Sequence, residues 1–532
     1  MTHTFDRRQF LTHSAIAAGG VAAMGAMGES VLAGPAGAIT KGGTLKVGVS
    51  SQQKLPFSPD WGRMDTTGFM YARAVYDPLC VVSADGKTVH PYLAQSVTHN
   101  STYTQWTVVI RPGIKFHDGT KCDGDAVYAN FKANYNSLLT GPSLKALIKS
   151  FSHTAGSNTI VVNTKNRWTS FPYTLAEQQI GFIAAPSTLG LGYRGNPIGT
   201  GPFVCANWAP DSTLYLDRNP NYWRKGLPYL DHLEFHPIPD DQTRWNELQG
   251  GTLDLIHTGD GGTIRNRFPG GFATQLDTTG KLAYSPSSNC VMLNLKKAPF
   301  TDLNFRKACA AAIDRSTFAR ISSSSESSPV DGIYLPNSPY YVKPAYPAFS
   351  LTAAKSYLSK SSMKGSARNF TLNYVNSPAV ANAATLVQTF LAKLNINVTP
   401  NPMTQDVLIG DAIGGKFQAT LWSQFGGVSP DTNYPWFSTK TGLNFANNLD
   451  PKIESAMITG MAATTSSARV KAWAFVNDQL ARDVPYLWLD RAIWGFAAKN
   501  TVQSWKTFTD SVGNPILQPN QGVLFFTQTW IS

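Results

Sequence analysis

The chain reads as an α/β protein built in two lobes, and three observations carry that reading. Near its start, Leu45, Val47 and Val49 alternate as in a half-buried strand, and Trp106, Val108 and Ile110 do the same within Gln105 to Arg111, ahead of a Pro112-Gly113 turn. In the second half, helical stripes alternate with strand-like runs, the succession that lays helices over a sheet. Finally, 532 residues with 42% hydrophobic and 15% charged content are too long for one small core and too apolar for a disordered segment.

The elements follow in order. Asp123 is placed to cap a helix in which Val127, Phe131, Tyr135 and Leu138 recur at helical spacing, so a helix interrupts the β-rich first part. Asp302 caps another, carrying Phe305, Cys309 and Ile313. Val380, Ala384, Val387, Leu391 and Leu394 form a stripe that leads into the strand-like Ile396-Asn397-Val398. A strand from Phe417 to Trp422, a helix holding Val470 and Trp473, and a strand from Val484 to Leu489 continue the alternation. The Ser-rich stretch from Ser322 to Ser328 and the segment from Ser359 to Ser366 read as surface loops.

Residues Asp6-Arg7-Arg8-Gln9-Phe10-Leu11 resemble a twin-arginine export motif, and Ser14 to Gly28 is uncharged and rich in Ala and Gly. Residues 1–38 therefore read as a signal peptide. Ala36-Gly37-Ala38 supplies a cleavage site, with Val31-Leu32-Ala33 as the alternative. No cysteine lies there to take a lipid, since the first is Cys80, so the expected mature protein is free in the periplasm. Beyond the leader no apolar run has the ~18 residues a spanning helix needs, so the mature chain is expected to be soluble. Cys80, Cys122, Cys205, Cys290 and Cys309 form no C-x-x-C pair. Export permits a disulfide, and buried free thiols are the other reading. The formal charge is +12, yet no basic run marks a nucleic-acid patch.

A family resemblance rests on particular segments. The run from Trp106 to Lys132, "WTVVIRPGIKFHDGTKCDGDAVYANFK", resembles the signature of the extracellular solute-binding proteins of family 5, the dipeptide-, oligopeptide- and nickel-binding receptors of ABC importers. "VYDPLCVVSADGKTVHPYLAQS" from Val75, "PIGTGPF" from Pro197, "LDRNPNYW" from Leu216, "FRKACAAAIDR" from Phe305 and "LWSQFGGVSPD" from Leu421 follow in the family's order. The resemblance implies the two-lobed periplasmic binding protein fold of type II, in the large cluster with an extra subdomain in the first lobe, its lobes joined by a hinge. On that pattern lobe I spans 39–283 plus 495–532, with the subdomain at about 81–192, and lobe II spans 284–494. The crossings fall near Tyr284 to Asn294 and Leu489 to Ala498.

The same resemblance places the ligand between the lobes and implies Trp422, Gln424, Phe425, Asp431 and Tyr434 as its contacts. Two rings make apolar walls, and an amide and a carboxylate give convergent polar groups. The residues alone leave another reading open, with Trp422 and Phe425 in a core and Asp431-Thr432-Asn433 a simple turn. Peptide-binding members carry an acidic residue shortly after this tryptophan, where it meets the peptide's amino group, whereas here the run is Trp422-Ser423-Gln424-Phe425-Gly426-Gly427. A buried ammonium without a partner is costly, so peptide binding requires Asp431 to reach inward.

Other chemistry is poorly supported. Gly410 to Lys416, "GDAIGGK", fits the start of a phosphate loop, but Phe417 stands where Ser or Thr would bind Mg²⁺ and no strand precedes it. His232 and His236 would make a metal pair on a helix, yet their surroundings read as extended chain. No nucleophile motif is present, so no enzyme, no cofactor and no metal is expected. Between Asp331 and Asp406 there is no acidic residue, which gives lobe II a basic face. The expectation is a monomeric periplasmic receptor that closes on a small solute and delivers it to an ABC importer permease, without nucleic acid as partner. An exported chaperone or sensor for unfolded peptide, and an exported enzyme, are the alternatives.

Overall fold

The computed structural model describes residues 39–532 except 52–57, 61–63, 191–192, 210–211, 260–271, 277–287, 323–326, 337, 425 and 493. The twin-arginine pair Arg7 and Arg8, both cleavage sites, Phe425 and Tyr284 at the start of the first crossing therefore lie outside the described residues.

Three sheets organise the chain. In the seven-stranded sheet the order is Phe272–Leu276, Gly495–Lys499, Leu255–Thr258, Thr44–Val49, His232–Pro237, Leu214–Arg218 and Phe203–Asn207. Thr44–Val49 sits at its centre, parallel to His232–Pro237 and Leu255–Thr258. A five-stranded sheet has the order Val398–Met403, Phe370–Val375, Ala419–Gln424, Ser288–Leu293 and Tyr486–Arg491. A four-stranded antiparallel sheet has the order Ala94–His99, Gln105–Ile110, Thr159–Thr164 and Ile148–His153. The mixture of parallel units covered by helices is the α/β class expected.

Local signals act as read. Asp123 caps Gly124–Asn136 by accepting from the Ala126 amide, and Asp302 caps Leu303–Ala312 by accepting from Phe305. The helix after Asp123 nevertheless stops at Asn136, so Leu138 is 79% exposed and not part of its stripe. Boundaries shift elsewhere too. The strand expected at Ile396 begins at Val398, and the one expected at Phe417 runs from Ala419 to Gln424. Val484 adopts a left-handed conformation that ends helix Ser466–Asp483, and the strand starts at Tyr486. Ser359 and Lys360 end helix Leu351–Lys360 instead of lying in a loop.

His232 and His236 lie on a strand, where His232 meets Asp217 at 2.8 Å and His236 meets Glu234 at 2.9 Å. "GDAIGGK" ends helix Gln405–Ile413 and leads into a strand, the reverse of the strand-to-helix order a phosphate loop requires. All five cysteines are buried free thiols.

The apolar cores are divided unevenly. One cluster under the seven-stranded sheet gathers Val47, Leu216, Phe235, Phe496 and Phe526. A second joins the four-stranded sheet to the five-stranded sheet without interruption, from Trp106, Val127 and Phe171 to Leu372, Trp473 and Leu487. Between those two parts lies a small cavity lined by Leu147, Asn166, Arg167, Trp168, Ile458 and Met461.

Candidate functional site

Three neighbouring strands of the five-stranded sheet set the site's geometry. Ser288 faces Gln424, and Cys290 faces Trp422 on one side and Trp488 on the other. Directly opposed residues share a face, so Trp422, Gln424, Ser288 and Trp488 project to the same side. Trp422 is half-buried and meets Phe445 edge-on, with ring centroids 5.9 Å apart. Gln424 and Ser288 are buried, and neither the amide nor the hydroxyl has a hydrogen-bond partner among the described residues.

On the opposite face of the same strands every polar group is answered. Ser423 Oγ donates to Asn289 Oδ1 at 2.7 Å, Asn289 Nδ2 donates to Asp490 Oδ1 at 2.9 Å, and Ser322 Oγ donates to Asp490 Oδ2 at 2.9 Å.

After Gln424 the chain turns through Pro430–Asn433, a single turn of 3-10 helix that contains Asp431. Its carboxylate is buried and fully engaged. Arg469, from helix Ser466–Asp483, donates to Oδ1 at 2.6 Å, and Trp168 Nε1 donates to Oδ2 at 3.1 Å. Ser170 Oγ also donates to Oδ2. Arg469 further donates to Ser429 Oγ at 3.0 Å and to the Gly460 carbonyl at 3.1 Å.

A second buried carboxylate holds the same segment from the other side. Glu177 ends helix Phe171–Glu177 and accepts from the Val428 amide at 3.0 Å and the Ser429 amide at 3.4 Å. It also accepts from Asn520 Nδ2 and Gln521 Nε2, both at 3.3 Å. Burial raises its pKa, while these four donors favour the ionised form.

Tyr434 is buried as well, and its hydroxyl donates to Glu454 Oε1 at 2.7 Å. Glu454 takes three more bonds, from Ser438 Oγ at 2.6 Å, the Thr439 amide at 3.0 Å and Thr439 Oγ1 at 3.4 Å. Burial raises the phenol's pKa.

Of the five residues implied by the sequence, Trp422 and Gln424 thus share a strand face, Asp431 and Tyr434 are spent on internal networks, and Phe425 is outside the described residues. Trp168, Ser170, Glu177 and Arg469 were not singled out by sequence reasoning. Trp168 lies 263 positions from Asp431, and no spacing rule spans that distance. No group of His, Cys, Asp and Glu among the described residues is arranged to hold a metal.

A sequence profile of bacterial extracellular solute-binding proteins, family 5 (middle region), matches residues 88–445. The glutathione-binding protein GsiB of Pectobacterium atrosepticum is 24% identical over 445 residues, which cover 80% of this chain and 84% of that protein. The oligopeptide-binding protein AppA of Bacillus subtilis, solved with a nonapeptide, matches with a TM-score of 0.80 at 20% identity, over 93% of this chain and 100% of AppA. AgaA of Agrobacterium tumefaciens R10, solved with agropinic acid, gives 0.78 at 22% identity, over 92% and 99%. These structures have the periplasmic binding protein fold expected from the sequence, and the profile spans more than half of the sequence. The chain belongs to family 5 of the bacterial extracellular solute-binding proteins.

Proposed function

We propose that the protein captures a small solute outside the cytoplasmic membrane and hands it to the permease of an ABC importer, with no covalent chemistry of its own. It reaches the periplasm by the twin-arginine address of Arg7 and Arg8 and works there as a monomer without a lipid anchor. No described helix is long and apolar enough to cross a membrane. The observation that carries the mechanism is how the two large sheets are connected. Phe272–Leu276 and Gly495–Lys499 pair in the seven-stranded sheet, whereas Ser288–Leu293 and Tyr486–Arg491 pair in the five-stranded one. The chain therefore passes between the sheets before Ser288 and again over the few residues between Arg491 and Gly495.

Those passages support a hinge and a division into lobes 39–283 plus 495–532 and 284–494. A ligand touching both sides favours the closed arrangement by its differential affinity for it, a motion for which periplasmic binding proteins are a standing general example. The engagement of Asp431 and Glu177 bears on the ligand. A peptide's ammonium needs a free carboxylate, and both carboxylates beside this segment are already occupied by donors. This supports a ligand without a free amine at that place, held by Trp422 and Gln424 on one side.

Small-angle scattering tests the reading. A compound that raises the melting temperature is expected to reduce the radius of gyration and leave the circular dichroism unchanged. Identical scattering curves with and without bound compound would overturn hinge closure.

A further inference from the structure

A second group of buried polar side chains, without hydrogen-bond partners among the described residues, lies at the end of an internal strand of the seven-stranded sheet. His257, in strand Leu255–Thr258, is fully buried, and neither ring nitrogen has a hydrogen-bond partner among the described residues. Its ring stacks on the indole of Trp494, with centroids 5.1 Å apart and planes 18° from parallel. Trp494 Nε1 is buried and unpartnered too among the described residues, as are Thr66 Oγ1 and Thr67 Oγ1 at the start of helix Thr66–Val75.

Gly522 draws these groups together. Its φ of +72° suits glycine, and a Cβ there would lie 2.8 Å from Trp494 Cγ and 3.0 Å from Thr66 Cγ2. A side chain at 522 would push the indole and the threonine apart. Native interiors rarely leave buried polar atoms unpaired, and a stacked pair of unpaired rings with an unpaired hydroxyl across Gly522 points to a place where something else supplies the partners.

This group is linked to the five-stranded sheet. Gln521, next to Gly522, donates to Glu177, and Glu177 accepts from the amides of Val428 and Ser429 on the segment leaving Gln424. Trp494 itself lies in the short passage between the two sheets.

We propose that His257, Thr66 and Trp494 form the wall of the ligand site opposite Gln424 and Ser288, and that this wall selects a hydroxyl- or amide-bearing neutral group of the ligand over an ammonium. The proposal rests on the receptor reading. Burial, with Arg244 nearby, lowers the His257 pKa to about 3, so at neutral pH the ring offers one donor and one acceptor. Arg244 is itself taken by Asp241 and the Ile238 carbonyl. The wall's four orphan atoms belong to a hydroxyl, an indole N–H and a neutral imidazole, none of which offers an ammonium a counter-charge.

Thermal melting of the full mature chain tests this with two probes at equal millimolar concentration. Agropinic acid is a lactam with a hydroxyl-rich chain, and the dipeptide Met-Leu carries an ammonium. Agropinic acid is expected to raise the melting temperature of the wild type, and Met-Leu is not. His257→Phe and Thr66→Val are each expected to weaken agropinic acid binding by at least tenfold. Without probe, both variants should melt at or above the wild-type temperature, because each removes an unpartnered polar group in favour of an apolar one of similar shape. A fall in melting temperature for both would make these groups structural and overturn the proposal. So would an agropinic acid affinity unchanged by either variant, or the lack of any shift with agropinic acid. If Met-Leu binds and compacts the protein, this inference fails while the receptor reading stands.

Discussion

The two faces of one set of strand ends are built to opposite rules. On one, Ser423, Asn289 and Asp490 form a closed ladder of hydrogen bonds. On the other, Gln424 and Ser288 are more deeply buried than Ser423 and Asn289 and have no partner among the described residues. A one-residue step along the chain separates the two, because successive side chains of a strand alternate between faces. Two histidines repeat the contrast. His117 and His257 are both kept neutral, His117 with its pKa lowered to about 4 by burial. His117 accepts from the Gly199 amide at 3.3 Å and donates to the Gly201 carbonyl at 3.0 Å, whereas His257 has no such bond among the described residues. Satisfied polar groups hold elements together, and the proposed site draws on unsatisfied ones.

The contrast is open to test, beginning where the effect is largest. Arg469→Ala leaves the Asp431 carboxylate buried without its counter-charge. It is expected to destabilise the protein by about 3–5 kcal/mol in urea unfolding. A loss below about 1 kcal/mol would mean the satisfied side is not what holds the segment.

His117 adds a pH dependence. Its folded pKa lies below the ordinary value, so its contribution is complete above about pH 6.5 and is lost as the pH falls toward 4, by up to ~3 kcal/mol. His117→Gln should flatten that part of the stability profile. An unchanged profile would remove His117 from the satisfied set.

The smallest expected effect separates the two strand faces directly. Asn289→Ala breaks the ladder and should cost about 1–3 kcal/mol, whereas Gln424→Leu on the facing side should cost nothing measurable. Equal losses from the two variants would erase the distinction.

Much of the fold was legible because its signals are local. Asp123 and Asp302 cap helices within three residues of themselves, and Leu45 and Val108 alternate with half-exposed neighbours over a few positions. The helix after Asp123 was read too long because Leu138 continues its apolar spacing. The backbone leaves the helix at Ser137 all the same, and a new helix starts at Gly141 with Pro142 in its first turn. The site was less legible. Asp431 stands in a recognisable turn, but its partners Trp168 and Ser170 come from a distant part of the chain and Arg469 from a helix whose pattern announces only packing. His257 sits in a four-residue strand that is buried throughout, and nothing in its neighbours distinguishes an unpaired imidazole from a packed one.

The shared core of the four-stranded and five-stranded sheets has a thermal consequence. Leu147, Trp168, Ile458 and Met461 meet along an apolar seam between them. If the proposed hinge opening parts this seam, apolar surface enters water and the open form gains heat capacity. The balance between open and closed forms then curves with temperature, and cooling weakens the apolar part of closure while the Asp431–Arg469 contact is left to hold the segment.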